Sequence, residues 1–237
     1  MEETITANPF SRLLILFFPA GIVSFIIYSW SLDWKNSLYA LARMLGQLIM
    51  MGYFLSYVFN SNSSTIILCF LISMVIIASW IALKILNKKR INLLKYAIIA
   101  ISLGGGIVLF IVTKLILHLD PWYMPRFMIP LAGMIFSSAM NGVSLAAERL
   151  QAEIDNGINY KDAKRAAFKA SLIPVINSLF AVGLVALPGM MTGQILSGTP
   201  PLTAASYQIM VMCMVFNSVG LASYIFLILI NPKYMRG

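Results

Sequence analysis

Long apolar runs separated by short polar stretches dominate the hydropathy pattern of this 237-residue chain. A helix needs about 20 apolar residues to cross the hydrocarbon core of a membrane. The runs are continuous and lack the alternation of a transmembrane β-strand. The seven runs extend approximately over 10–30, 37–59, 65–86, 91–117, 123–147, 172–196 and 206–230. The pattern predicts an all-α integral membrane protein with about seven transmembrane helices, forming a single domain over residues 1–237.

The distribution of Lys and Arg predicts the orientation, because basic residues collect at cytoplasmic helix ends. One set of helix ends carries 14 basic residues and the other carries 3, namely Arg12, Lys114 and Arg126. The N-terminus is therefore predicted outside and the C-terminus in the cytoplasm. The net charge of +9 is explained by this topology and by attraction to anionic membrane lipid, rather than by nucleic-acid binding.

Only one connection is substantial, about 148–171, and it lies on the predicted cytoplasmic side. The fifth helix is predicted to continue beyond the membrane to Asn156-Gly157, where glycine takes the left-handed conformation at low cost. A second helix follows, with Asn159 as its cap and Asp162 near its positive end.

This loop allows two interpretations. It is either a solvated basic loop that holds the topology, or a docking helix for a cytoplasmic partner. Small residues on one face would let another surface approach closely. That face carries Tyr160, Ala163, Ala167 and Ala170, and a second face carries Lys161, Lys164, Arg165 and Lys169.

The sequence offers no catalytic chemistry. It has no metal-site spacing of His, Cys, Asp or Glu and no phosphate-binding G-x-x-x-x-G-K-[ST] motif. The triplet 104–106 of glycines, inside an apolar run, indicates close helix packing or a flexible point. All eight acidic residues lie at helix ends or in loops, so the proton relay of a secondary transporter is missing. Energy for any transport is therefore expected from a partner.

Polar residues inside the apolar runs are either structural contacts between helices or the lining of a pathway. Pro188-Gly189 is predicted to break the sixth helix, and broken helices commonly line substrate sites. Pro174 is predicted in the first turn of that helix. The pathway candidates are Arg43, Gln47, Asn141, Asn177, Pro188, Gly189, Thr192 and Gln194.

The chain is also rich in sulfur, with 15 methionines and two cysteines. Thioethers suit Cu(I) better than iron, but the alternating Met210, Met212 and Met214 do not share a helix face, and methionine usually fills cores. Cys69 and Cys213 are predicted to be buried free thiols. No metal ligands are assigned.

Several motifs resemble the FetB-type permeases of ATP-binding-cassette transporters. The resemblance covers about residues 34–223, and its most specific block is LPGMMTGQI. Two positions depart from the family pattern: Asn159 stands where a proline cap is usual, and Ser137-Ser138 replace a Gly-Asn pair. The matching motifs are RMLGQLIMMGYFLSYVF (43–59), IPLAGMIFSSAMNGVSLAAERL (129–150), SLIPVINS (171–178), VGLVALPGMMTGQILSG (182–198) and YQIMVM (207–212).

The resemblance implies a homodimeric permease of the plasma membrane that works with a separate ATPase subunit. ATP and Mg would bind to that partner, and this chain would carry no cofactor. Bacterial members are linked to iron export and metal homeostasis, and plant relatives to aluminium tolerance. The resemblance implies docking of the ATPase at Gly157, Asn159, Tyr160, Lys164 and Arg165. Export of a lipid or amphipathic compound, or a scaffold without transport, remain as alternatives.

Overall fold

A computed structural model describes residues 14–59 and 63–231 of the chain. The chain divides into two compact units, Met1–Asn60 and Ser61–Gly237. The two units are described separately below. That the whole chain forms one domain stays a prediction, and Arg12 and the basic residues after 231 lie outside the described residues.

The N-terminal unit is a pair of apolar helices. A 3-10 turn, Leu14–Leu16, leads into α1, Phe17–Ser29, and α2 spans Trp34–Val58. Asp33 caps α2, because its side-chain oxygen accepts a hydrogen bond from the Asn36 backbone nitrogen at 3.1 Å. At 13 residues, α1 is shorter than the predicted run 10–30, of which residues 10–13 are outside the described part.

The second unit contains six α-helices among its described residues. A 3-10 segment, Lys84–Lys89, precedes α4, and a π-helix, Ile111–Ile116, continues it. Residues 14–59 and 63–231 contain no β-strand, only one isolated bridge. The six helices are α3 Ser64–Ala82, α4 Arg90–Phe110, α5 Pro125–Asp155, α6 Tyr160–Ala181, α7 Gly189–Leu196 and α8 Pro201–Leu229.

Five of the described helices are long and apolar enough to cross a membrane, which confirms the all-α membrane class. They are α2, α3, α4 with its π-helical continuation, α5 and α8. The count of seven spans and the orientation stay predictions.

The predicted sixth helix, 172–196, is broken, as Pro188-Gly189 predicts, but the break comes earlier in the chain. Its first part belongs to α6, which begins far earlier, at Tyr160, and ends at Ala181. The chain then turns through Gly183, whose φ of +83° is cheap only for glycine. Pro188 does not kink a helix but caps the start of α7. Pro174 consequently lies deep inside α6 rather than in a first turn.

Helix α8 packs against α4, α5 and α6, and glycines let two of these neighbours come close. A Cβ atom at Gly104 would lie 2.6 Å from the backbone nitrogen of Ala222. A Cβ atom at Gly142 would lie 2.7 Å from the Ser223 hydroxyl oxygen. Within the glycine triplet 104–106, Gly104 and Gly105 therefore serve close helix packing, the first of the two predicted roles, while Gly106 faces open space.

Both cysteines are free, as predicted, but neither is buried. Cys69 and Cys213 have exposed side chains. The predicted burial is wrong because an apolar run does not tell which helix face contacts the rest of the protein and which faces outward. Cys213 lines a cavity.

Candidate functional site

The long connection between α5 and α6 folds as its sequence predicts. Helix α5 ends at Asp155, and Gly157 follows with a φ of +78°. Asn159 caps α6, because its side-chain oxygen accepts a hydrogen bond from the Asp162 backbone nitrogen at 3.0 Å. The polar first turns of α6 and its apolar remainder belong to one continuous helix that begins directly after this turn.

Two residues of the small-residue face of α6 pack within the protein. Ala163 and Ala167 are fully buried within the protein itself. The small residues let another surface approach closely, as predicted, and that surface belongs to the chain itself. The exposed face carries charged side chains instead: Lys161, Asp162, Arg165 and Lys169. We call Lys161, Arg165 and Lys169 the basic ridge.

Tyr160 links two distant parts of the chain. Its hydroxyl donates a hydrogen bond of 2.6 Å to the carbonyl oxygen of Ile230, directly after α8. Burial raises the pKa of Tyr160. The Lys164 ammonium lies 5.2 Å from the centre of the Tyr160 ring, and burial lowers the pKa of Lys164. Tyr160 therefore fixes the start of α6 to the end of α8.

The predicted docking residues thus fall into two groups. Three of them are exposed: Gly157, Asn159 and Arg165. The Arg165 side chain is 72% exposed, and one of its guanidinium nitrogens lies 3.5 Å from a carboxylate oxygen of Asp162. Tyr160 and Lys164 are half-buried and contact the chain itself. Docking stays a prediction for all five, and the exposed group is the one that a partner can reach.

The basic segment before α4 lies at the same end of the unit as the connection between α5 and α6. The Lys89 ammonium donates to the Gln151 carbonyl oxygen of α5 at 3.0 Å, and the Gln151 amide donates to Asp155 at 2.6 Å. Arg90 stacks on the Trp80 ring, 3.5 Å from its centre. Two basic connections that the sequence assigns to one side of a membrane are therefore adjacent in the fold.

A first cavity, of about 460 Å³, lies between α5, α6 and α8. Asn141 lines it, while Asn177 is exposed and does not. We call it the serine cavity after its hydroxyl groups, which belong to Ser138, Ser144, Ser171 and Ser178. The sequence did not single out Ser144 and Ser171, because a hydroxyl can bond to its own helix, as Ser171 does to the Phe168 carbonyl oxygen at 2.8 Å.

A second cavity, of about 480 Å³, lies near the start of α5, away from the basic segment. We call it the methionine cavity, since Met134, Met190 and Met210 line it together with Arg126 and Tyr207. Gln194 lines it too. The side-chain oxygen of Gln194 is buried and has no hydrogen-bond partner among the described residues, so it is free to accept one from a ligand.

The remaining residues around the predicted break have structural roles in the fold. The Thr192 hydroxyl donates to the Pro188 carbonyl oxygen at 2.8 Å. Pro188 and Gly189 begin α7 and so place Met190 and Gln194 at the methionine cavity. Of the four break residues predicted for a pathway, Gln194 is the one that lines a cavity.

Arg43 and Gln47 belong to the N-terminal unit, where they contact each other as their spacing predicts. With the Gln47 amide oriented to accept, two Arg43 guanidinium nitrogens lie 3.1 and 3.2 Å from its oxygen. This pair satisfies polar groups on one face of α2. Among the described residues, no three His, Cys, Asp or Glu side chains gather where they could hold a metal ion.

Comparison with known proteins places the sequence of this chain in a family. The profile of the "Uncharacterised protein family (UPF0014)" matches residues 10–235. A UPF0014 membrane protein of Synechocystis is 37% identical over 75% of this chain and 74% of its own. The "Probable iron export permease protein FetB" of Escherichia coli is 34% identical, over 84% of this chain and 82% of its own.

A plant protein also matches. "Protein ALUMINUM SENSITIVE 3" of Arabidopsis thaliana is 33% identical over 83% of this chain and 76% of its own. No solved structure matches the chain significantly. The family resemblance that the motifs indicate is therefore confirmed by matches over most of the chain.

Proposed function

Because the chain belongs to the UPF0014 family of multi-pass membrane proteins, we propose that it is the permease subunit of an ATP-binding-cassette exporter. We further propose that it exports a metal ion, iron being the cargo in the name of one relative. In this proposal two copies work with a separate ATPase, which binds ATP and Mg. Seven spans, with the N-terminus outside, complete the proposed topology.

The observation that carries this proposal is the continuity of α6. Its first turns display the basic ridge, and the same helix runs without interruption to Ala181, a length of about 33 Å at 1.5 Å per residue. A partner that moves the exposed turns must therefore move the apolar part as well. The Tyr160 hydrogen bond to Ile230 extends the same movement to α8.

The cavities lie where such a movement would act. Pro174 and Ser178 of α6 line the serine cavity, and Val215 of α8 completes its wall. Closure of the ATPase on nucleotide would tilt α6 against α5 and change the width of this cavity. We propose that this change opens the pathway between two protomers.

The basic ridge supplies the test of docking. In the variant Lys161→Glu with Arg165→Glu, two exposed positive charges are reversed where an acidic ATPase surface would bind. The matched control is Lys35→Glu, an exposed basic residue that the sequence places on the same side of the membrane. The measurement is the amount of P-loop ATPase that co-purifies with tagged full-length protein from its native membranes.

We expect the ridge variant to lose most of the ATPase, since like charges at an interface oppose binding, and the control to retain it. Equal recovery of ATPase by both variants and the unchanged protein would show that the ridge is not the docking surface. Absence of any ATPase from the unchanged protein would favour a scaffold.

The cavities also support a second candidate, the export of a lipid or amphipathic compound. The serine cavity and the methionine cavity both exceed the size of a bare ion, and among the described residues no carboxylate lines either one. Metals such as iron favour harder oxygen or nitrogen ligands than thioethers. Stimulation of ATP hydrolysis by added lipid, and not by metal, would decide for this candidate.

A further inference from the structure

A third cavity, of about 200 Å³, lies between α8 and the π-helix that continues α4. On the α8 side it is lined by Met210, Cys213, Met214 and Asn217. We call it the sulfur cavity. Its opposite wall is apolar and consists of Val108, Ile111, Val112 and Ile116.

The three sulfur residues share one face of α8. Residues three and four apart on a helix are neighbours, with Cβ atoms about 5–6 Å apart. Met210 therefore adjoins both Cys213 and Met214, and all three side chains reach the same space. The alternating methionines considered in the sequence do not form such a group. Cys213 completes it, because the relevant spacing is i, i+3 and i+4.

Sulfur donors select the kind of ion. Thiolate and thioether ligands are soft and favour Cu(I) over harder ions such as Mg²⁺ or Mn²⁺. The cavity offers one thiol and two thioethers, and the Asn217 amide lies one turn beyond Cys213. This donor set fits a soft cation better than it fits iron.

Charge balance selects a monovalent ion. Among the described residues, no acidic side chain lines the sulfur cavity or the methionine cavity. When the Cys213 thiol binds a metal, it gives its proton to solvent, and the thiolate neutralises one positive charge. A divalent ion would keep a net charge in apolar surroundings, which is costly.

The sulfur cavity and the methionine cavity share a lining residue. Met210 lines both. Beyond it lie Met134 and Met190, and also the unpartnered side-chain oxygen of Gln194. The positive charge of Arg126 at the methionine cavity disfavours a resting cation there, so binding is placed at Cys213.

We propose that Met210, Cys213 and Met214 bind a soft monovalent cation of the Cu(I) class. From there the cation would pass into the methionine cavity. No oxidation or reduction is involved: the metal–sulfur bond replaces the thiol S–H bond, and the proton leaves. As a cargo site this inference rests on the proposed function, but binding itself does not need the ATPase.

The test is a Cu(I) titration of purified full-length protein in detergent, without oxygen, against a coloured Cu(I) chelator. Cys213→Ser and Met210→Leu remove one donor each at nearly constant volume. Cys69→Ser and Met212→Leu are the matched controls, since neither residue lines the cavity. Because a folding defect could also abolish binding, each variant is first compared with the unchanged protein by gel filtration and melting temperature.

We expect one Cu(I) per chain, with an affinity that Cys213→Ser lowers at least about tenfold, as loss of metal-supporting groups typically does. Met210→Leu should lower it less, and the two controls should leave it unchanged. An affinity that Cys213→Ser leaves intact in folded protein would overturn the site. So would an equal loss in Cys69→Ser.

The proposed function fails in a different way from the site. If the ridge variant retains its ATPase but Cu(I) binding depends on Cys213, the docking surface is wrong and the site stands. If the ATPase docks as expected but Cu(I) binding is independent of Cys213, the site is wrong and the permease role stands.

Discussion

Replacement of Gly104 by alanine tests the closest helix contact in the fold. A Cβ atom at this position would lie 2.6 Å from the backbone nitrogen of Ala222 and 2.8 Å from its Cα atom. The shorter distance is about 0.8 Å below an ordinary 3.4 Å contact. Because backbone atoms cannot swing aside, α4 and α8 must separate. Gly106, two residues on, has nothing within 4 Å of its ideal Cβ position and is the matched control.

Two opposing effects determine how much each glycine-to-alanine substitution changes the stability of the protein. Alanine is favoured over glycine inside a helix by about 1 kcal/mol, and this gain applies at both positions. Overpacking at a tight contact costs about 1–3 kcal/mol, and this cost applies only at Gly104. Gly104→Ala should therefore be less stable than Gly106→Ala by about 1–3 kcal/mol.

The assay is unfolding of each variant in the same detergent, followed by tryptophan fluorescence, with the melting temperature as a second measure. Comparison of the two variants cancels the shared propensity gain. Equal stability of the two would refute the close approach of α4 and α8. A loss confined to Gly106→Ala would contradict the packing altogether.

Two further predictions concern the start of α6. Asn159→Ala should destabilise the protein by about 0.5–2 kcal/mol through loss of the helix cap, whereas Asn159→Ser keeps a capping oxygen and should cost less in the same unfolding assay. Tyr160→Phe should cost about 0.5–1.5 kcal/mol at neutral pH, since the hydrogen bond to Ile230 is lost. Burial raises the pKa of Tyr160. The unfolded chain therefore loses the phenol proton first, above about pH 10. The difference in stability between the unchanged protein and Tyr160→Phe should shrink above that pH. A difference that grows above that pH would contradict the burial of Tyr160.

Local signals in the sequence were enough to predict several elements. The end of α5 at Asn156-Gly157 and the cap at Asn159 depend on residues within four positions of each other. The apolar runs that became α3, α4, α5 and α8 are long enough for length alone to decide between helix and strand. Such features need no knowledge of the tertiary structure.

The interruption before α7 could be anticipated but not located. Pro188 is the strongest local signal, and it indicates a break at its own position. The helix ends at Ala181 instead, because Gly183 turns the chain and its nitrogen donates to the Ala186 carbonyl oxygen at 3.0 Å. The proline then begins the next helix, a role that proline performs at low cost.

The cavities could not be predicted from the sequence, because they depend on which helices pack against each other. Met210, Cys213 and Met214 are three apolar residues in an apolar run, and their spacing alone is typical of core packing. They form a candidate binding site only because a space of about 200 Å³ lies between them and the π-helix opposite. In the same way, nothing near Tyr160 in the sequence indicates Ile230 as its partner, 70 residues away.

Helix α8 connects these features in one rigid element. Its end at Ile230 accepts the hydrogen bond from Tyr160, beside the basic ridge, and Met210 and Cys213 lie in its other half. Between them, the tight contacts at Ala222 and Ser223 hold α8 against the glycines of α4 and α5. Packed contacts of this kind transmit displacement, while a cavity absorbs it. A movement that begins at the ridge would therefore pass the glycine contacts with little change of packing. It would alter the geometry where α8 faces open space, first at the serine cavity, which Val215 lines, and then at the sulfur cavity.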